Sequence, residues 1–300
     1  MNKNKIKLFI NKFLSKADLK IVNLRLSGPH DFTDKDSHPL SAQYQFNDNK
    51  LIMDIDLSKC RTNRWFSMSK NTLDPAIFAI KNSLKKDLKH KELYINILDI
   101  LKKQSKLIHF TDAAKLLDIN ADDIGDIKDY PWWATVYPWE NRTFKYNLDH
   151  MPFEVKNNRA KNGFKILSNN PNEIMKDNLK NSLSSHAKQY AHLTELIKKN
   201  GFKYGGEYGY VTVELFIMGN KFCWKIGSEG NHRAAAAAAL GLKKIPALIT
   251  KIIRLEELEY WPNVINGSFN KDQASKIFYN IFDAKPSKIF NDWIKLNSSI

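Results

Sequence analysis

The chain has 300 residues, of which 43% are hydrophobic and 26% charged, so it can bury a sizeable core and long disordered regions are not expected. The formal net charge is +15, but the lysines are scattered among abundant Asn and Ile, the composition that an AT-rich genome produces. Nucleic acid is therefore a less favoured partner than the net charge of the protein suggests. Two distant cysteines, Cys60 and Cys223, argue against a disulfide framework or a zinc site.

The first pattern in the chain lies in residues 3–20. Apolar side chains recur there at helical spacing while most lysines fall between them, which predicts a basic amphipathic helix. Such a helix either packs on its own domain or rests on anionic lipid. No apolar run approaches the ~20 residues that cross a bilayer, and no signal-peptide pattern opens the chain. We expect a cytoplasmic protein, with residues 3–20 as the candidate contact with the inner face of the membrane.

The region 1–125 shows no chemical motif, and its elements predict an α+β or mostly helical unit. Alternating apolar and polar residues over 41–57 predict a β-hairpin. Helical periodicity follows over residues 74–104. A short helix is predicted within 109–119, with Thr111 as its N-cap.

Residues 129–143 (DYPWWATVYPWENRT), here called the aromatic segment, hold three tryptophans, two tyrosines and two prolines. Large aromatic side chains bury much area, and proline interrupts regular structure. The segment is either inter-domain core or a wall across the entrance of the next domain. In the second case the lining residues would be Trp139, Glu140, Asn141 and Arg142.

Downstream, a long helix is predicted over residues 177–199, with Gly201 just past its end. Two β-rich runs, GYVTVELFI (209–217) and FCWKI (222–226), are joined by MGNK, whose Gly-Asn pair is typical of a hairpin. A further strand is predicted over residues 243–254 (KKIPALITKIIR).

Between these strands lies the segment with the clearest chemistry, residues 227–233 (GSEGNHR), here called the Gly230 turn. It precedes an alanine-rich helix that runs from Ala234 to Leu240 and is closed by Gly241. The first N–H groups of a helix have no internal partner and lie at the positive end of its dipole. We predict that Gly230, Asn231, His232 and Arg233 form a phosphate-binding site.

The residue types in this turn support that prediction, because each contributes a different property. Gly230 permits a positive φ angle and close approach to the backbone. Arg233 offers a planar fork to phosphate oxygens, and a histidine such as His232 can donate, accept or carry charge near neutral pH. Helix N-termini of this composition also occur where the residues have only a structural role.

Phosphoryl transfer needs a carboxylate to activate the acceptor hydroxyl and usually a magnesium ion on the phosphates. Glu229 is next to the turn and is the candidate metal ligand, while Glu140 in the aromatic segment is the candidate base. The structural alternatives are a first-turn residue favoured by the helix dipole for Glu229, and a surface ion pair for Glu140.

Other polar residues have less specific signals. Arg159 and Lys225 are candidate secondary phosphate contacts, and strand alternation predicts that Lys225 points outward. His186 and His192 lack metal-ligand spacing and are interpreted as ordinary residues on the polar face of a helix. Cys223 is predicted to be a buried strand residue.

Three consecutive stretches together carry a family resemblance: LTELIKKNGF, VTVELFIMGNKFCWKI and GSEGNHRAAAAAALGLKKIPALI. Their order of helix, hairpin, Gly-x-x-Arg turn, alanine-rich helix and strand resembles the ParB/sulfiredoxin superfamily over residues 130–255. The resemblance implies an α+β domain at 126–255 with a mixed sheet and packed helices, followed by a helical cap at 256–300. It also implies that the Gly230 turn binds the phosphates of ATP or CTP, with Mg²⁺.

The chain departs from two branches of that superfamily. Sulfiredoxins carry a catalytic cysteine in the turn, where this chain has Asn231. ParB partition proteins carry a second arginine beside the first and a downstream DNA-reading motif, whereas His232 precedes Arg233 here and the C-terminal residues are rich in aromatics. Sulfinic-acid repair and chromosome partition are therefore not expected.

The stretches PWWATVYPWEN and NNRAKNGF resemble a group of such domains found in surface-polysaccharide gene neighbourhoods. The preferred hypothesis is a nucleotide-dependent kinase or phosphotransferase acting on a small hydroxyl compound or a sugar. The alternatives are a nucleotide-dependent switch without catalysis and a DNA-binding adaptor of ParB type.

Overall fold

The computed structural model describes residues 29–33, 35, 38–45, 51–69, 71–86, 89–109, 112–120, 130–161, 168–290 and 292. The amphipathic helix predicted for residues 3–20 lies outside these ranges. Within them, no helix combines the length and the apolar character that crossing a membrane requires.

A six-stranded mixed sheet forms the centre of the described structure. Its strands, in the spatial order β1-β2-β6-β4-β5-β3, are parallel in the pairs β1/β2, β6/β4 and β5/β3, and antiparallel in the pairs β2/β6 and β4/β5. The strands are β1 (His30–Asp31), β2 (Leu51–Asp56), β3 (Cys60–Arg61), β4 (Val211–Met218), β5 (Lys221–Ile226) and β6 (Lys244–Arg254). Strands from both sides of residue 126 therefore share one sheet.

Helices precede, interrupt and follow the strands of this sheet. They are α1 (Pro39–Gln45), α2 (Pro75–Lys85), α3 (His90–His109), α4 (Ala113–Leu117), α5 (Phe144–Lys161), α6 (Pro171–Asn200), α7 (Asn231–Ala239), α8 (Pro262–Ile265) and α9 (Lys271–Phe282). The prediction of a mixed sheet packed with helices, followed by a helical C-terminal region, is confirmed.

The two faces of the sheet are covered by different parts of the chain. Because side chains alternate along a strand, Val211, Val213 and Leu215 of β4 face the core formed with α2, α3, α6 and α7. Phe216 of β4 and Cys223 of β5 face a second core, formed with the aromatic segment and α9. Both faces are therefore buried over the central strands.

Several sequence predictions for the second half of the chain are confirmed. The long helix α6 ends at Gly201, which has φ +72°. Strands β4 and β5 form the predicted hairpin, in which Met218 pairs with Lys221 around the Gly219-Asn220 turn. The alanine-rich helix and the following strand are α7 and β6, and Cys223 is buried.

The hairpin predicted over residues 41–57 is wrong. Of the described residues in that range, 51–56 form a strand, β2, which pairs with β1 and β6. Residues 41–45 belong to the helix α1, which begins at Pro39, a residue whose fixed φ suits the first position of a helix. A strand in the middle of a sheet can pair with strands from distant parts of the chain. The alternating pattern therefore did not require a partner strand next to it in the sequence.

For the helices that follow, one prediction is confirmed and one needs correction. The helical periodicity over residues 74–104 belongs to two helices, α2 and α3, which pack against each other. The apolar spacing is interrupted between them by a charged run, which leaves no continuous stripe to bury. The N-cap of α4 is Asp112, whose Oδ1 accepts a bond from the Lys115 amide at 2.7 Å, and Thr111 lies outside the described residues.

Candidate functional site

The Gly230 turn is fixed to the sheet by one residue of β4. The Thr212 amide donates to the Glu229 carbonyl at 3.0 Å, and the Gly227 amide donates to the Thr212 carbonyl at 2.8 Å. The Thr212 hydroxyl oxygen also accepts a bond from the Glu229 amide at 3.1 Å. These bonds hold the turn against the start of β4 and set the direction in which α7 leaves the sheet.

Gly230 occupies a position that other residues would not fit. Its φ is +73° and its ψ is 10°, in the left-handed region. A Cβ atom there would lie 2.8 Å from the Cα of Val211, which is shorter than a normal contact. The missing side chain therefore lets the turn lie directly on β4.

The N-terminus of α7 has no side-chain cap. The helices α2, α4, α6 and α9 are each capped by an acceptor side chain, respectively Asp74, Asp112, Asn170 and Asn270. In α7 the His232 amide donates to the side-chain oxygen of Asn231 at 2.7 Å, while the described residues provide no acceptor for the amides of Asn231 and Arg233. Two backbone donors thus remain at the positive end of the helix dipole.

Arg233 lies over the N-terminus of α7. Its Nη1 donates to the Gly209 carbonyl at 3.2 Å, and its Nη2 is 3.1 Å from the place where a Cβ of Gly230 would be. Burial lowers the pKa of Arg233, and the nearby Glu229 carboxylate opposes that effect. A guanidinium has five N–H groups, so the bond to Gly209 leaves others for an anion.

A second arginine reaches the same end of the sheet through strand pairing. Strand β3 is parallel to β5, with Cys60 opposite Trp224 and Arg61 opposite Lys225. The residues that follow these two strands therefore leave the sheet at the same end of the strands. This brings the tight turn of residues 62–65 beside the Gly230 turn. Arg64 is part of that tight turn.

Arg64 is held by a buried carboxylate. Its Nη1 is 3.6 Å from Oδ2 of Asp74, a residue that is only 2% exposed. The other oxygen, Oδ1, caps α2 by accepting bonds from the amides of Ala76 and Ile77, whereas Oδ2 is buried without a hydrogen bond. The single ion pair thus orients Arg64 and leaves one carboxylate oxygen incompletely satisfied.

His232 is paired with a histidine from α6. Its Nε2 is 2.8 Å from Nδ1 of His186, and the two rings stack with centroids 4.9 Å apart. The interpretation of His186 as an ordinary polar-face residue is therefore wrong, because α6 packs against α7 and turns this side chain toward it. Burial, His186 and Arg64 lower the pKa of His232 to about 4.

Arg159 also acts on this histidine pair. Burial lowers the pKa of His186, and the charges of Arg64 and Arg159 lower it further. The guanidinium of Arg159 is oriented by Asn178, whose side-chain oxygen accepts a bond from Nε at 2.8 Å. The N-terminal end of α7 is therefore surrounded by positive charge from three different elements.

The two predicted catalytic carboxylates are not brought together. Glu229 is exposed at the Gly230 turn. Glu140 lies beside Glu214 and Lys225, on the sheet face opposite α7, and its Oε2 accepts a bond from the Tyr137 amide at 3.0 Å. Burial raises the pKa of Glu140 despite this bond and the nearby lysines.

Lys225 does not point outward into solvent as predicted. It is 6% exposed, and its Nζ is 3.0 Å from the Glu214 carboxylate and 4.9 Å from the centre of the Tyr137 ring. Strand alternation does place it on the face opposite α7, but the aromatic segment covers that face. It therefore lies in a buried ion pair instead of at the Gly230 turn.

The aromatic segment packs as core rather than as an open lining. Trp139 is buried, with ring centroids 5.2 Å from those of Phe216 and Trp261, while Asn141 and Arg142 are exposed. The segment is linked to the tight turn of residues 62–65 through the residue that follows Arg64. The indole Nε1 of this residue, Trp65, donates to the Tyr137 hydroxyl at 3.1 Å.

Arg64, Asp74 and His186 belong to the site, but sequence reasoning did not select them. None lies in a local motif, and each reaches the turn only through strand pairing or helix packing. The described residues contain no group of three His, Cys, Asp or Glu side chains placed to hold a metal ion. A magnesium ion would therefore depend on Glu229 and on the oxygens of a bound phosphate.

Comparison of the chain with protein-family models gave no match, and comparisons with curated proteins and with solved structures gave none either.

Proposed function

We propose that the Gly230 turn binds the phosphates of a nucleotide, ATP or CTP, and that the protein transfers a phosphoryl group to a small hydroxyl compound or a sugar. The observation that carries the proposal is the uncapped start of α7, with two unpaired amides beside Arg233 and Arg64. Backbone donors at a helix start together with guanidinium groups are a common way of binding phosphate.

The positive charge around the Gly230 turn supports a polyanionic ligand. Arg64, Arg159 and Arg233 come from three separate parts of the chain; Arg64 is paired with Asp74, and the exposed Glu229 lies near Arg233. A bound di- or triphosphate would bring negative charge to these guanidinium groups.

The resemblance to the ParB/sulfiredoxin superfamily supports the same site and suggests a setting in surface-polysaccharide synthesis. Glu229, exposed at the Gly230 turn, would hold Mg²⁺ together with oxygens of the bound phosphate. The metal would shield the charge of the phosphates, while Arg233 and the α7 amides would position them. Glu140 lies beside Glu214 and Lys225, on the sheet face opposite α7, and is therefore not assigned as the base.

A second candidate is a nucleotide-dependent switch without catalysis. It is favoured by the link between the tight turn of residues 62–65 and the aromatic segment, because Trp65, next to Arg64, is buried, has φ +67° and bonds to Tyr137. A ligand that displaced Arg64 would move the tight turn of residues 62–65 and so disturb that bond.

The proposal is tested by a thermal-shift screen of ATP, ADP, CTP and GTP, each with and without Mg²⁺. A nucleotide at 100 times its dissociation constant should stabilise the native state by about 2.7 kcal/mol. Arg233→Ala should abolish the shift, whereas Arg142→Ala, which removes an exposed ion pair with Glu154, should retain it. Absence of any shift in the wild-type protein, or its persistence in Arg233→Ala, contradicts the proposed site.

The two candidates are separated by turnover. A phosphotransferase should release ADP or CDP in the presence of Mg²⁺ and an acceptor, and Glu229→Gln should slow that release. Nucleotide binding that changes tryptophan fluorescence without any turnover would favour the switch.

A further inference from the structure

The His186–His232 pair has a fixed geometry at the start of α7. His232 is the second residue of the helix, and His186 lies on α6, one helical turn before Tyr190. The two imidazoles share one hydrogen bond of 2.8 Å, and the Tyr190 ring centroid lies 4.5 Å from that of His232. Both rings are partly exposed, so solvent and ligands can reach them.

The shared bond determines what the pair can offer to a ligand. A neutral imidazole has one N–H and one lone pair. One N–H is used between the rings, so of the two outer nitrogens, Nδ1 of His232 and Nε2 of His186, one is a donor and the other an acceptor. This holds for both tautomeric arrangements. Adding a proton converts both outer nitrogens to donors and gives the pair a positive charge.

The surroundings decide whether that proton is present. The charged and titratable groups around the pair are Arg64 after β3, Asp74 at the start of α2, Arg159 on α5, Tyr190 on α6, and Glu229 and Arg233 at the Gly230 turn. Burial raises the pKa of Tyr190 to about 12, so its hydroxyl stays neutral. The arginine charges nearby lower the pKa values of both histidines, and Asp74 is paired with Arg64, so the free protein favours the neutral pair.

A dianionic ligand would favour the protonated form of the pair instead of the neutral form. An outer lone pair would repel phosphate oxygens, whereas an outer N–H would donate to them, and two negative charges would offset the nearby guanidinium groups. We propose that the His186–His232 pair takes up one proton from solvent when a dianionic phosphoryl group binds at the Gly230 turn. This inference rests on the proposed function and assigns the pair as a proton-linked part of its anion site.

The proposal is tested by titrating the full-length protein with sulfate at pH 5.5, 6.5 and 7.5 at constant ionic strength. Sulfate is used because it remains a dianion throughout this range, whereas phosphate and ATP titrate themselves. Uptake of one proton should tighten sulfate binding by up to about tenfold for each unit that the pH falls. Calorimetry of sulfate binding in two buffers of different ionisation enthalpy should show the same uptake directly.

Two histidine variants test whether the pH dependence of sulfate binding comes from the His186–His232 pair. His186→Gln should bind sulfate with little pH dependence, and His232→Asn should behave in the same way. His192→Gln is the matched control, because this exposed histidine lies on the same helix, and it should keep the wild-type dependence.

The outcomes distinguish this inference from the proposed function. Sulfate and nucleotide binding with no proton uptake by the wild-type protein, or a pH dependence that survives in both pair variants, overturns the role of the pair and leaves the nucleotide site standing. Failure of the wild-type protein to bind either sulfate or ATP at any of these pH values overturns both. The wild-type calorimetry remains decisive if a pair variant does not fold.

Discussion

Lys225 and Glu214 form a buried ion pair, 3.0 Å between Nζ and the carboxylate, on neighbouring strands of the central sheet. Burial tends to lower the pKa of Lys225, but the carboxylate of Glu214, helped by Tyr137 and Glu140, more than offsets this and raises it. Lys225 is therefore charged at neutral pH, and it lies in direct contact with the Glu214 carboxylate.

Lys225→Met should destabilise the protein by about 3 kcal/mol, because it leaves the Glu214 carboxylate without its partner in a low-dielectric setting. The double variant Lys225→Met with Glu214→Leu should recover most of that loss. Urea unfolding at pH 7.5 measures both. Lys271→Met is the control: its pair with Glu259 is exposed, and it should cost less than about 1 kcal/mol. A double variant no more stable than Lys225→Met would contradict this account.

Gly230→Ala should destabilise the protein by about 2 to 4 kcal/mol. The change adds the strain of a positive φ to a clash with the backbone of Val211, which cannot move without disturbing β4. Gly241→Ala provides the comparison, because Gly241 has φ +83° and open space around its Cβ position, so only the backbone strain of about 1 to 2 kcal/mol should appear. Equal losses in the two variants would show that contact with Val211 is unimportant.

Asn263→Ala should destabilise the aromatic segment. Asn263 is fully buried, and the two N–H groups of its Nδ2 are shared among the carbonyls of Tyr137, Glu140 and Arg142, which lie at 3.0, 2.9 and 2.9 Å. Removing it leaves these acceptors without that donor, at an expected cost of about 3 kcal/mol in the free energy of unfolding. Tryptophan fluorescence during urea unfolding reports the change. The exposed neighbour Asn266, replaced by Ala, should cost about 1 kcal/mol.

Glu140→Gln should leave nucleotide binding unchanged, because Glu140 lies on the sheet face opposite the Gly230 turn. Burial raises the pKa of Glu140 above its ordinary 4.5, so the folded protein binds this proton more tightly than the unfolded chain does. Its contribution to stability is therefore present below pH 4.5 and is lost as the pH rises through the raised pKa. Relative to wild type, Glu140→Gln should become more stable across that interval.

This prediction is measured by urea unfolding of both proteins between pH 4 and pH 8, together with the nucleotide thermal shift. A parallel pH dependence of the two proteins would contradict the stability argument. Loss of the nucleotide-induced shift in Glu140→Gln would show that this residue does reach the anion site.

The sequence determined the elements whose signals are local. The Gly-Asn pair between β4 and β5, the alanines of α7, Gly241 at its end and Gly201 after α6 each act through a few neighbouring residues. The same is true of the Gly230 turn, since glycine at a helix start followed by Arg233 can be read without knowing the fold. Helical periodicity also located α2 and α3, although it did not separate them.

Only the tertiary structure decided what surrounds that turn. Arg64 reaches it because β3 is parallel to β5, and His186 reaches His232 because α6 packs on α7, across 46 positions of sequence. Strand alternation placed Lys225 on one face of the sheet but did not show that the aromatic segment covers that face. The physical reason is that register and packing are set by contacts between distant segments, which no local pattern records.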